Sequence, residues 1–219
     1  MITFALVNAG NYQGRGQRYV ATIARQIHTH FKGPHNVVCF TDDPGLIIDG
    51  VEARDLPHRG LRGWFNKLAL FKPGVFKGGE RVVYLDLDTL VVGDITFLSG
   101  YRGRFAMLGP FSFESRINRL YRGAQSCIMA WEGGFGGGIW ARFLMDSMPN
   151  TKGGDQRYLN TLNLNPDLMQ ELFPGKIISY KEYGCMHAVP DGVAIVCMHG
   201  LPRPHQAGGW ARKVWQGAA

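Results

Sequence analysis

The segment from Arg81 to Ile95, RVVYLDLDTLVVGDI, constrains this chain more than any other. Val82-Val83-Tyr84-Leu85 is short, rich in β-branched residues and free of polar alternation. That is the pattern of a central strand buried on both faces. It delivers Asp86 and Asp88 on either side of Leu87, and a second apolar run, Leu90-Val91-Val92, leads away. Ionised carboxylates cannot stay in an apolar interior without partners. They belong at the rim of the sheet, on the carboxyl edge where open α/β sheets bind ligands. Two apart in an extended segment, Asp86 and Asp88 point the same way. Such a pair suits a divalent ion, Mn or Mg, which prefers hard oxygen ligands and the oxygens of a substrate phosphate.

The flanking sequence places this strand in an α/β fold. Ile2 to Val7 is an apolar strand ending in the polar turn Asn8-Ala9-Gly10-Asn11. After Gly14-Arg15-Gly16 comes a helix with Val20, Ile23, Ala24, Ile27 and Phe31 on one face. Asn36 to Phe40 is a second buried-type strand, so the start of the chain is a βαβ unit with parallel strands. The glycines around Arg15 match neither a phosphate loop nor a dinucleotide fingerprint. They serve a nucleotide-binding turn or turn geometry alone. Asp42 and Asp43 either hydrogen-bond a base or ribose, or cap the turn before Pro44.

Gly60 to Lys72 is expected to be helical in its second half, with Trp64, Leu68 and Phe71 on one face. Lys67 then lies on the flank of that face, as a surface lysine whose stem covers apolar neighbours. Ile95 to Leu98 reads as a short helical segment, and Phe105 to Leu108 and Gln125 to Trp131 as strands. Ile139 to Met148 reads as a helix, and Ile177-Ile178 and Val193 to Val196 as strands. Ser112 to Arg122 is charged and aromatic without a clear period. Asp155 stands where an N-cap would stand. His199 follows a strand in a Pro-flanked turn, as a third metal ligand or as a structural histidine. Cys185-Met186-His187 and Cys197-Met198-His199 repeat a Cys-x-His pattern. Zinc sites usually have two to four residues between ligands, and here one intervenes.

A chain of 219 residues that is 45% hydrophobic has the means for one large domain. The 24 basic against 17 acidic residues give a formal charge of +7, spread in ones and twos rather than in a Lys/Arg block. That distribution suits phosphorylated small molecules and argues against a dedicated nucleic-acid binder. No signal peptide is visible, and no apolar run approaches the roughly 20 residues of a transmembrane segment. The four cysteines show no disulfide-framework spacing. The sequence therefore reads as soluble and cytoplasmic.

Five features, in order, resemble GT-A glycosyltransferases, nearest to the family 8 or glycogenin-like group. They are the N-terminal strand with its polar end, the Lys-Leu-bearing helix from Trp64 to Phe71, and the Asp-x-Asp motif within Tyr84 to Ile95. The strand Gln125 to Trp131 and the run Gly-Asp-Gln-x-Tyr-Leu-Asn from Gly154 to Asn160 follow. The turn His-Gly-x-Pro-Arg-Pro, His199 to Pro204, echoes the family's His-x-x-Gly-x-Lys-Pro. The resemblance implies one Rossmann-like α/β domain over residues 1–219, with a mostly parallel central sheet flanked by helices and a small antiparallel addition, its nucleotide-binding part over about residues 1–100 and its acceptor or sugar part over about 101–219. It also implies a nucleotide-sugar donor, a UDP-sugar, and an acceptor that the sequence leaves unknown. Asp86, Asp88 and His199 would hold the Mn or Mg, and Arg203 would neutralise the donor diphosphate. Lys67 would approach the donor phosphate or sugar, with Asn8 and Asp42 near the base and ribose. Asp155 and Gln156 would contact the donor sugar near its anomeric carbon.

The pattern departs from the family at Gly200, at Arg203 in place of Lys, at His205 in place of Trp, and at Gln125-Ser126-Cys127 in place of Asn-Ser-Gly. Three other readings stand beside it: a sugar nucleotidylyltransferase, a haloacid-dehalogenase-type phosphatase and a nucleotide-sugar-binding module without turnover.

Overall fold

The computed structural model describes residues 1–111, 123–149 and 152–217. The segment Ser112 to Arg122 lies outside the described residues. Seven strands form the central sheet: β1 (Ile2–Asn8), β2 (His35–Thr41), β3 (Glu52–Asp55), β4 (Arg81–Leu85), β6 (Phe105–Leu108), β7 (Gln125–Glu132) and β8 (Asp167–Leu168). Their order across the sheet is β3-β2-β1-β4-β7-β6-β8. The first four in that order run parallel, and β7 pairs antiparallel with both β4 and β6. A small second sheet is built from β5 (Thr89–Val91), β9 (Ile177–Ser179) and β10 (Ile195–Cys197). In it β10 runs antiparallel to β5 and parallel to β9.

The two-residue period of β1 and β4 feeds two separate apolar layers. Phe4 and Leu6 of β1, with Val83 and Leu85 of β4, pack against Tyr19, Val20, Ile23 and Ile27 of helix α1 (Gly16–His30). Ala5, Val82 and Tyr84 face the other way. There they meet Leu68 and Phe71 of a 3-10 helix (Gly63–Phe71) and Trp140 and Phe143 of helix α2 (Gly137–Met145). Tyr158 and Leu159 of helix α3 (Gly154–Thr161) complete that layer. Covered on both faces, β4 has no room for polar alternation, which explains its unbroken apolar run.

The expected helix after Gly60 is a 3-10 helix, closed at its ends by hydrogen bonds from Phe65 N–H to Arg62 O at 3.2 Å and from Lys72 N–H to Ala69 O at 3.1 Å. Its three-residue period puts Phe65, Leu68 and Phe71 in one row and Trp64, Lys67 and Leu70 in another. Trp64, in the first turn, is not in the row of Leu68 and Phe71, and it stands exposed. Lys67 and Leu70, in the same row as Trp64, are buried, because the neighbouring elements cover the helix from Phe65 onward. Elsewhere α2 begins at Gly137 rather than Ile139 and ends at Met145, and the last strand runs Ile195–Cys197 rather than Val193 to Val196.

At the start of α1, Gly16 lies against the buried Asn8 amide, and a Cβ there would collide with it. Alanine is worth up to about 1 kcal/mol over glycine inside a helix. Overpacking at a buried contact costs about 1–3 kcal/mol, so the collision outweighs the gain. Gly16→Ala is expected to lower stability in urea unfolding despite raising helix propensity. A stabilised variant would show that the Asn8 contact relaxes freely.

Candidate active site

Strand β4 ends at Leu85, and the chain emerges at the carboxyl edge of the sheet with Asp86, whose N–H donates to Cys127 O of β7 at 2.8 Å. Asp88 then leads directly into β5. Because Thr89 pairs with Cys197, the antiparallel ladder carries the chain after β10 back past Asp88. Met198 N–H donates to Asp88 O at 3.3 Å, and His199 follows into the same cavity. The third candidate ligand is thus placed by strand register, 111 positions along the chain from the second.

Lys67 is the charge centre of the site and is 5% exposed. Its Nζ stands 3.0 Å from Asp86 Oδ1, 3.3 Å from Asp155 Oδ2 and 3.3 Å from Ser126 Oγ. Burial works against its charge, but the carboxylates of Asp155 and Asp86 outweigh that and hold its pKa above the usual lysine value. This overturns the reading of Lys67 as a surface lysine. Asp155 is likewise not the N-cap, which is Gly153. It sits buried in the first turn of α3, where burial pushes its carboxyl up and Lys67 pulls only partly back. Gly153 and Gly154, at φ +97° and +60°, make the left-handed approach that presents it.

Tyr84 OH donates to Asp86 Oδ1 at 2.6 Å. Burial and the Asp86 charge keep that phenol protonated, well above its ordinary pKa. On the far side, Asp88 Oδ2 accepts from Tyr12 OH at 3.0 Å and is ion-paired with Arg203. Arg203 also lies over the Tyr12 ring, 5.8 Å from its centroid. His199 Nε2 contacts Ser179 Oγ at 2.8 Å, and its ring stacks on Phe111 with centroids 5.5 Å apart. Burial and the nearby Lys181 charge lower its pKa, which favours the neutral imidazole that a metal requires.

One cavity of about 340 Å³ is lined by Lys67, Asp86, Asp88, Asp155, Gln156, His199 and Arg203. Asn8 and Asp42 do not line it. Asn8 Oδ1 accepts from Tyr12 N–H at 3.2 Å, and Asp42 accepts from Gly10 N–H at 3.0 Å. Both therefore shape the turn that carries Tyr12. Four lining or contacting residues were not singled out from sequence: Tyr12, Tyr84, Ser126 and Ser179. Tyr84 had a signal, since two positions before Asp86 in a strand is the same face. Ser179 had none, because it reaches His199 only through its pairing with Cys197.

Among the described residues no three or more His, Cys, Asp or Glu side chains group closely enough to hold a metal ion. This holds for the Cys185/His187 and Cys197/His199 pairs as well. The donor set of the cavity nevertheless suits a hard divalent ion. Two carboxylates and a neutral imidazole line it, and among the described residues its two cations face three carboxylates, leaving one negative charge in excess. A surplus carboxylate in a desolvated site favours an added cation.

No family model matches the sequence, and neither does any curated protein. Solved structures do match over nearly the whole chain. The glycosyltransferase GlyE of Streptococcus pneumoniae TIGR4 superposes with a TM-score of 0.69 at 18% identity, over 99% of this chain and 59% of that one. An active-site mutant of LgtC gives a TM-score of 0.70 at 12% identity, over 99% of this chain and 96% of that one. The galactosyltransferase LgtC in complex with donor and acceptor sugar analogs gives 0.66 at 13% identity. The chain thus spans about three-fifths of the GlyE chain and nearly all of LgtC. This α/β chain has the GT-A fold of those glycosyltransferases.

Proposed function

We propose that the protein is a metal-dependent glycosyltransferase that moves a sugar from a nucleotide-diphosphate sugar, a UDP-sugar, to an acceptor hydroxyl. The observation that carries this reading is the convergence of Asp86, Asp88, His199, Arg203 and Lys67 on one cavity at the carboxyl edge of β4. Asp86, Asp88 and His199 are the residues that would hold Mn or Mg. A divalent ion there would neutralise negative charge on the donor diphosphate.

The chain's own groups supply the rest. Arg203 exchanges its contact with Asp88 for diphosphate oxygens and stabilises the charge that grows on the leaving group as the glycosidic bond breaks. Tyr12, hydrogen-bonded to Asp88 and lying under Arg203, orients both. Lys67 holds the Asp86 and Asp155 carboxylates apart from one another yet fixed. That positions Asp155 and Gln156 beside the sugar. Positive character at the anomeric carbon is favoured next to Asp155; as the bond to the diphosphate oxygen breaks, the acceptor oxygen bonds to that carbon and its proton passes to the departing diphosphate.

A panel of nucleotide sugars with Mn, followed by binding and by slow donor hydrolysis, tests this. One donor is expected to bind and turn over, with the turnover lost in EDTA and restored by Mn. Binding and turnover unaffected by EDTA would remove the metal from the proposal, and no binding of any nucleotide sugar would overturn it.

A further inference from the structure

Of the five tryptophans, Trp64 alone is exposed, at 60%. It lines the cavity together with Gly153, Gln125 and Gln156, one 3-10 turn before Lys67. A Cβ on Gly154 would come within 3.0 Å of the indole, so this side chain lies directly against the glycine backbone. An indole packed against backbone offers one flat face in a set orientation to the cavity it lines.

The contacts also order the cavity. Arg203, Tyr12 and Asp88 form one end, and Asp86, Lys67 and Asp155 the middle. Trp64 and the Gly153-Gly154 turn form the other end. If the diphosphate lies against Arg203, as the proposed function requires, the transferred sugar occupies the middle and the acceptor enters at Trp64. We infer that Trp64 is the platform on which a pyranose ring of the acceptor stacks, so that the acceptor is a carbohydrate. A pyranose has an apolar C–H face for the indole and equatorial hydroxyls for amides. Gln125 and Gln156 line the same cavity and carry such amides. A flat aromatic face flanked by a few convergent polar groups is how small polar ligands are oriented.

The experiment has two arms, both on the full chain. In the first, saturation-transfer NMR with methyl glycosides and lactose, without donor, compares wild type with Trp64→Ala and Trp64→Tyr. The expected result is an affinity about ten-fold weaker in Trp64→Ala, largely recovered in Trp64→Tyr, with circular dichroism and melting unchanged. In the second, transfer kinetics are expected to show acceptor KM raised about ten-fold and donor KM moved by less than about two-fold. Equal glycoside binding by wild type and Trp64→Ala, no glycoside binding by the wild type, or a parallel rise in donor KM overturns the inference. So does transfer only to glycerol, peptide or lipid hydroxyls. The first arm reads Trp64 without a donor, so loss of the nucleotide-sugar reading appears separately, as absent donor binding.

Discussion

The Asp86→Asn/Asp88→Asn double variant is expected to lose donor turnover by about 10³-fold or more, measured as release of nucleoside diphosphate with Mn present. The magnitude follows from charge. Among the described residues of the native cavity Lys67 and Arg203 face Asp86, Asp88 and Asp155, an excess of one negative charge. Asparagine keeps the shape but leaves two cations against one carboxylate, an excess of one positive charge. A site of that sign repels a divalent ion and no longer holds Arg203 in place. Folding is expected to be less affected, because Lys67 keeps Asp155 and asparagine still accepts the Tyr12 and Tyr84 hydroxyls. Turnover equal to wild type, from a variant with a normal unfolding transition, would sink the metal-site reading.

Lys67→Met is expected to cost about 3–5 kcal/mol of stability in urea unfolding, the range for removing one partner of a buried ion pair. Methionine fills nearly the same volume, so the loss reports charge rather than a cavity. Asp155, 3% exposed, would be left with Ser126 and a like charge at Asp86. The variant Lys67→Met/Asp155→Asn removes that repulsion and is expected to recover about half of the loss. A cost below about 1 kcal/mol for Lys67→Met would show that water reaches the triad and screens it, as at an exposed pair.

Much of the architecture was legible in local pattern. The β1–α1–β2 unit, the buried strand β4 and the placement of Asp86 and Asp88 at its end all follow from period and burial cost. The five other cavity-lining candidates have a different origin. His199, Arg203, Asp155, Gln156 and Lys67 were singled out through motif order, whereas helical period alone put Lys67 on the surface and Trp64 in the core. An α-helical reading of Gly63 to Phe71 sends Trp64 in and Lys67 to the flank, whereas in the 3-10 helix the neighbouring elements bury Lys67 and leave Trp64 exposed at the first turn. Sequence carries little to separate the two, because a single turn of either helix fits the same apolar residues.

The sequence by itself determined that two carboxylates stand at the edge of a central parallel strand, because an apolar run of that kind can end in charge only at a rim. Which charges meet there was decided by tertiary structure alone. Lys67 reaches Ser126 across 59 positions and Arg203 reaches Asp88 across 115. Those meetings depend on the register of β10 on β5 and of β7 on β4. Register is a property of paired strands, and one residue of slip would turn each side chain to the other face.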